Sequence, residues 1–101
     1  MRRGEPKHLV CDLAEARLAT LRGRSYLQLA ELPAHQSEAV PSTKAIIATY
    51  RDDLGKGRRR IVVQGVVPGW FGSAFVRAWG FGLSMDGSLE SLGERDLWDF
   101  T

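Results

Sequence analysis

Residues 58–92 have the sequence RRRIVVQGVVPGWFGSAFVRAWGFGLSMDGSLESL, and this stretch decides the fold. β-branched and aromatic side chains dominate it, and Gly, Pro and Asp divide it into segments. That pattern predicts three consecutive strands of an antiparallel sheet. We predict the strands at residues 58–67, 74–84 and 88–92, with residues 68–73 as the first connecting loop.

The connection at residues 85–87 sets the register of the last two predicted strands. A two-residue turn at Asp86-Gly87 would place Leu83 opposite Glu90. A three-residue loop that ends in a left-handed Gly87 places Leu83 opposite Leu89 instead. Because cross-strand partners share one face of a sheet, the second alternative keeps two apolar side chains together, and we predict it.

The beginning of the chain predicts a long helix. Apolar residues recur from Val10 to Leu21 at helical spacing. Pro6 suits the first position of such a helix, and Gly23 suits a left-handed end. The alternative start lies at residues 12–15, where Asp and Glu form a possible capping box.

Residues 26–32 admit two interpretations. Ser25 followed by Gln28 is a capping-box pattern, which predicts a short helix that ends at Pro33. The alternative is a strand, but this segment contains no β-branched residue. We therefore predict the helix.

The remaining segments complete an α+β architecture. A polar linker is predicted at residues 33–43, with a short edge strand at 36–40. A strand at 44–51 and a turn at 52–57 follow, and residues 94–100 form a last helical turn. The predicted fold is a single domain with one or two N-terminal helices packed on a four- to five-stranded antiparallel meander sheet.

The composition is that of one globular domain in a reducing compartment. The chain has 101 residues, of which 44% are hydrophobic and 26% are charged, and both fractions are ordinary. No apolar run approaches the roughly 20 residues of a membrane-spanning helix, and no secretory signal is predicted. With Cys11 as its single cysteine, we predict a cytoplasmic protein without an internal disulfide.

Charge is divided unevenly along the chain. Residues 1–83 hold 13 Lys/Arg and seven Asp/Glu, whereas residues 84–101 hold one Arg and five Asp/Glu. In the acidic end, Leu97, Trp98 and Phe100 are interleaved with the carboxylates. We predict that this end folds back over its own sheet; the alternative is that it docks in a basic groove of a partner.

Both faces of the predicted sheet are apolar, which points to self-association. Four strands span roughly 19 Å, whereas one helix is about 10 Å wide, so the helices cover one face. We predict a homodimer, formed through the second face or an edge, with another protein as an alternative partner. Gln64, Arg77 and the chain's own end are the alternative cover for that face. The predicted contact residues are Trp70, Phe71, Phe75, Trp79 and Phe81.

A basic cluster at a predicted hairpin tip supports a second hypothesis. This cluster can bind phosphates through the positive charges of Lys56, Arg58, Arg59 and Arg60. It predicts a nucleic-acid-binding module as the alternative function. The competing interpretation is a hairpin tip exposed to solvent, because Asp52 and Asp53 lie in the same predicted turn.

Catalytic and metal-binding patterns are missing from the sequence. His8 and His35 lie in different segments without a neighbouring nucleophile, and no spacing typical of metal ligands occurs. We therefore predict a non-enzymatic interaction protein without a cofactor or metal. A small-molecule or catalytic pocket between sheet and helices ranks last, for want of converging polar groups. No motif is specific enough to assign a family.

Overall fold

A computed structural model describes residues 6–41, 43–69, 74–93, 97 and 100. Within them, two helices precede a five-stranded antiparallel sheet whose strands lie side by side in chain order. The α+β prediction and the meander are thereby confirmed. The elements are α1 (Pro6–Arg22), α2 (Tyr26–Leu29), β1 (His35–Ala39), β2 (Ile46–Gly55), β3 (Arg58–Pro68), β4 (Ala74–Ser84) and β5 (Leu89–Ser91).

The long helix α1 begins at Pro6 and not near residue 12. It ends at Arg22, but Gly23 does not have a positive φ, so the predicted left-handed end is wrong. Instead, the N–H of Gly23 donates to the carbonyl of Thr20 at 3.2 Å. The last turn is therefore tightened by an i→i−3 hydrogen bond, a common way to satisfy the final carbonyls of a helix.

The predicted capping box at the start of α2 is present. Ser25 Oγ accepts from the N–H of Gln28 at 3.2 Å, and Gln28 Oε1 accepts from the N–H of Ser25 at 2.8 Å. The helical interpretation of this segment is confirmed, although α2 ends at Leu29, three residues earlier than predicted.

The hairpin between β2 and β3 is longer than the sequence predicts. Strand β2 continues to Gly55, and the predicted turn at 52–57 shrinks to residues 55–57, which all have positive φ. Asp52 and Asp53 lie in the strand, directly opposite Arg60 and Arg59. These opposite-charge cross-strand pairs stabilise strand pairing where the single-strand pattern indicates a turn.

The hairpin between β4 and β5 follows the prediction. Leu83 lies opposite Leu89, and Gly87 has a φ of +92°. Gly87 accepts this left-handed conformation because it has no Cβ. The three-residue loop is thereby confirmed.

The core lies between α1 and one face of the sheet. At Gly65, an added Cβ would stand 2.3 Å from Val10 Cγ1, so the glycine lets the helix approach the sheet closely. The aromatic face of β4, which includes Phe81, is the face that α1 covers. The buried core consists of Val10, Ala14, Leu21, Leu29, Val40, Ala45, Ile47, Ile61, Val63, Phe81 and Leu83.

The second face of the sheet is covered in part by the end of the chain itself. An added Cβ at Gly80 would lie 3.0 Å from both Leu92 Cδ1 and Leu97 Cδ2. Gln64 Nε2 donates to the carbonyl of Phe100, whose ring lies 5.0 Å from that of Tyr50. For the described residues of the end, the prediction that it folds back over its own sheet is confirmed, so a partner is not required over this part of the face.

Candidate self-association interface

One edge of the sheet is longer than the strand that covers it. Strand β5 pairs only with residues 81–83 of β4. Residues 74–80 pair with β3 on one side and, within the described part of the chain, have no strand on the other. We call these seven residues the open edge.

The hydrogen-bonding direction along β4 follows from two bonds at its end. The N–H of Ser84 donates to the carbonyl of Ser88, on the β5 side, at 2.9 Å. The N–H of Met85 donates to the carbonyl of Gly57, on the β3 side, at 2.7 Å. Because successive residues of a strand point in opposite directions, the even-numbered residues present their N–H and C=O groups to the open edge. Beyond Gly80, which lies beside Leu92, these residues are Ala74, Val76 and Ala78.

Apolar side chains flank the open edge on both faces. On the face beneath α1, Phe75 and Trp79 are half-buried. On the second face, Val76 and Ala78 are half-buried. Unpaired backbone groups beside such side chains form a template on which another strand can pair.

The predicted contact residues lie in different environments. Phe75 and Trp79 lie on the open edge. Phe81 is completely buried in the core, so its side chain is not available to a partner of the folded chain. Trp70 and Phe71 lie outside the described residues.

The sequence interpretation missed Val76 and Ala78, whose backbone groups face outward. The signal that identifies them is the difference in length between the strands predicted at 74–84 and 88–92, since the shorter strand leaves part of the longer one unpaired.

The opposite edge of the sheet is protected. Strand β1 (HQSEA) has five residues, all exposed and most of them polar, with Pro33 and Pro41 close to its ends. Short polar strands next to proline are typical of edges that do not pair further. The two edges therefore differ, and β4 carries the one suited to association.

The basic hairpin is largely neutralised by carboxylates. Arg60 Nε donates to Asp52 Oδ2 at 3.0 Å, and Arg58 pairs with Glu90 of β5 at the same distance. Lys56 lies in the turn and is exposed. A cluster whose guanidinium groups already bind carboxylates has less positive charge to offer to phosphates, so the structure weakens the nucleic-acid alternative.

Within the described residues, Arg59 contacts both β2 and α2. Its guanidinium donates from Nε to Asp53 Oδ1 at 2.6 Å and from a second nitrogen to the carbonyl of Tyr26. It also lies 3.9 Å from the centre of the Tyr26 ring. The residue is only 7% exposed. Arg59 therefore ties the hairpin to α2.

The hydrogen bond and the charge of Arg59, with a smaller effect of Arg51, lower the pKa of Asp53 below its ordinary value of 3.8. Because the folded chain favours the ionised carboxylate, its stabilising contribution is complete above the unfolded pKa and is lost as the pH falls through the lower, folded pKa. We expect the urea midpoint of the wild type to fall more steeply below about pH 4 than that of Asp53→Asn. Parallel curves between pH 2 and 6 would show that this contact does not form in solution.

Within the described residues, the histidines and acidic side chains do not assemble into a metal site. His35 stacks on Tyr50, with ring centres 4.6 Å apart. In residues 6–41, 43–69, 74–93, 97 and 100, no group of three His, Cys, Asp or Glu residues is placed to hold a metal ion.

No helix in this same part of the chain has the length and apolar character needed to span a bilayer.

A second apolar surface lies away from the open edge. It is a groove of about 710 Å³ between α2 and the β4–β5 turn. Leu27, which is 77% exposed, Met85 and Leu89 line it. This groove competes with the open edge as a contact surface, so it supplies the control for experiments on that edge.

Comparisons with known proteins give no relative from which a function can be transferred. No protein family matches the chain, and neither curated proteins nor solved structures yielded a match.

Proposed function

We propose that this chain is a non-enzymatic interaction protein that forms a homodimer by antiparallel pairing of two open edges. The observation that carries the proposal is the seven-residue stretch of β4 that has apolar flanks and, in the described part of the chain, no neighbouring strand. A cytoplasmic location belongs to the proposal, because the single Cys11 suits a reducing compartment.

Edge pairing accounts for the apolar flanks and the backbone groups together. Each outward N–H and C=O would gain a partner, and the two five-stranded sheets would form one sheet of about ten strands. The half-buried side chains of Phe75, Val76 and Trp79 would come to lie inside the joined sheet rather than at its margin. A two-fold axis uses the same edge on both copies, so the assembly closes as a dimer.

Arg77 restricts the register of this dimer. An axis at residue 77 would align all seven residues but would place two Arg77 side chains opposite each other, which is unfavourable. An axis at Val76 places Arg77 opposite Phe75, and an axis at Ala78 places it opposite Trp79. Both alternatives permit cation–π contacts like the one that Arg77 makes with Trp79 in its own chain, at 5.3 Å.

Substitution of Val76 by lysine tests the interface. A lysine on the second face would place a charge where the joined sheet is apolar, and we expect the dimer dissociation constant to rise at least about tenfold. Sedimentation equilibrium at micromolar concentrations measures this change. Because Val76 is only half-buried, the monomer should remain folded, which circular dichroism verifies.

Two further variants locate the contact. Leu27→Lys makes a similar change in the apolar groove and should leave the dimer intact. Ala78→Pro removes one outward N–H without removing a donor to β3, and should dissociate the dimer as Val76→Lys does. A wild type that is monomeric at every concentration contradicts the proposal. So does a dimer that Leu27→Lys dissociates and the two edge variants do not.

A further inference from the structure

The groove between α2 and the β4–β5 turn collects apolar surface that the open edge does not use. Leu27, Met85 and Leu89 line it. They are the three most exposed large apolar side chains in the described part of the chain, at 77%, 68% and 51%. An exposed apolar surface with a polar rim is typical of a contact site for another molecule.

Both walls of the groove are anchored to the hairpin between β2 and β3. Arg59 donates a hydrogen bond to the carbonyl of Tyr26 and so ties α2 to this hairpin. On the other wall, the N–H of Met85 donates to the carbonyl of Gly57 at 2.7 Å. The groove therefore exists in the free chain, and little ordering of its walls is needed when a partner binds.

The charges on the rim select an acidic occupant. Arg22 and Arg24 line the groove and are exposed, and among the described residues neither is engaged in an ion pair. The lining also contains Asp86, whose carboxylate accepts the N–H of Ser88 at 2.9 Å. Two guanidinium groups and one carboxylate leave a net positive charge, which complements carboxylates on a partner.

The exposure of the lining favours a macromolecule over a small ligand. Small-molecule sites bury roughly 70–90% of the surface of their ligand. Side chains that stay more than half exposed do not enclose a ligand of that size, whereas a helix laid along the groove covers them. Met85 adds a flexible side chain that adapts to the shape of such a partner.

A second copy of this chain does not suit the groove. A two-fold contact through it would bring Arg22 and Arg24 of one copy towards the same residues of the other, which is unfavourable. The acidic end of a second copy is already engaged, since Leu97 is buried and lies beside Gly80 of its own sheet. The occupant is therefore another protein.

We propose that this groove binds an acidic amphipathic helix of a partner protein. Apolar residues at helical spacing on that helix contact Leu27, Met85 and Leu89, and carboxylates beside them pair with Arg22 and Arg24. The groove shares no residue with the open edge, so this binding does not depend on the association of two open edges.

Fluorescence anisotropy of a labelled synthetic peptide, titrated with the full chain, tests the site. The probe has about 15 residues, with leucines on one helical face and glutamates beside them. We expect saturable binding that weakens as salt is added, because the rim contacts are electrostatic. Peptides with lysine for each glutamate, or alanine for each leucine, should bind at least about tenfold more weakly.

Two pairs of variants locate the contact. Leu27→Gln should weaken peptide binding at least about tenfold, whereas Leu13→Gln, on α1 outside the groove, should leave it unchanged. Arg24→Gln should weaken binding by about threefold or more. Lys44→Gln removes an equal charge from an exposed position outside the groove and should have no such effect. Because Leu27 and Arg24 are exposed, both groove variants should fold, which circular dichroism verifies.

The same assay separates this site from the open edge. Val76→Lys should dissociate the dimer and leave peptide binding unchanged, whereas Leu27→Gln should do the reverse. A dimer that Leu27→Gln dissociates would show that the groove is a contact between copies, and this would overturn the proposal.

Three further results would also overturn it. The first is the absence of saturable peptide binding, with or without saturable binding of dodecanoate, which would indicate a small-molecule site. The second is equal binding of the glutamate and lysine peptides. The third is an affinity that Leu27→Gln and Leu13→Gln change equally, or that neither changes.

Discussion

Replacement of Phe81 by alanine is expected to lower the free energy of unfolding by about 3–5 kcal/mol. The side chain is completely buried and lies opposite Ile61 on the face that α1 covers. Its removal leaves a cavity between helix and sheet that close packing does not allow the neighbours to fill. Because a domain of this size is stable by roughly 5–15 kcal/mol, the change removes a large part of the total.

Urea denaturation measures this loss, with Phe75→Ala as the matched control. Phe75 lies on the same face of the same strand but is only half-buried, so its replacement should cost less than half as much. Both variants are compared at a protein concentration at which the wild type is monomeric. Equal losses would contradict the division of β4 into a core end and an interface end. If Phe81→Ala does not fold, Phe81→Leu provides the comparison.

Replacement of Arg59 by methionine is expected to lower the free energy of unfolding by about 2–3 kcal/mol. Methionine retains much of the apolar stem, but the hydrogen bonds to Asp53 and to the carbonyl of Tyr26 are lost. The contact with the Tyr26 ring is also lost. Since Arg59 joins the hairpin to α2, hydrogen exchange of the α2 amides should accelerate in this variant.

Arg58→Met is the control for this prediction. Arg58 also pairs with a carboxylate, at 3.0 Å from Glu90, but both side chains are more than half exposed. Exposed ion pairs contribute little, so the loss should stay below about 1 kcal/mol. If Arg58→Met and Arg59→Met destabilise the chain equally, the special role of Arg59 is wrong.

Much of the fold follows from local patterns in the sequence. The bounds of β4 and the register of Leu83 against Leu89 are predictable because Gly87 fixes the loop and apolar partners share a face. The turn predicted at 52–57 fails for a physical reason. Asp52 and Asp53 resemble turn residues until their partners, Arg60 and Arg59, are known, and those partners belong to the next strand.

The candidate site is predictable only in part. Alternation shows that Phe75, Trp79 and Phe81 share a face of β4, but not which of them α1 covers. The area of this face that α1 covers depends on how closely the helix approaches the sheet. Gly65 has no Cβ, and this allows Val10 of α1 to come close to β3.

Amide hydrogen exchange at Val76 and Ala78, measured as a function of protein concentration, tests the pairing of two open edges most directly. These N–H groups face the edge and should exchange about tenfold or more slowly once dimers predominate. The amide of Leu27, in the competing groove, should exchange at the same rate at every concentration. Exchange at Val76 and Ala78 that does not change with concentration, while sedimentation shows a dimer, would contradict association through β4.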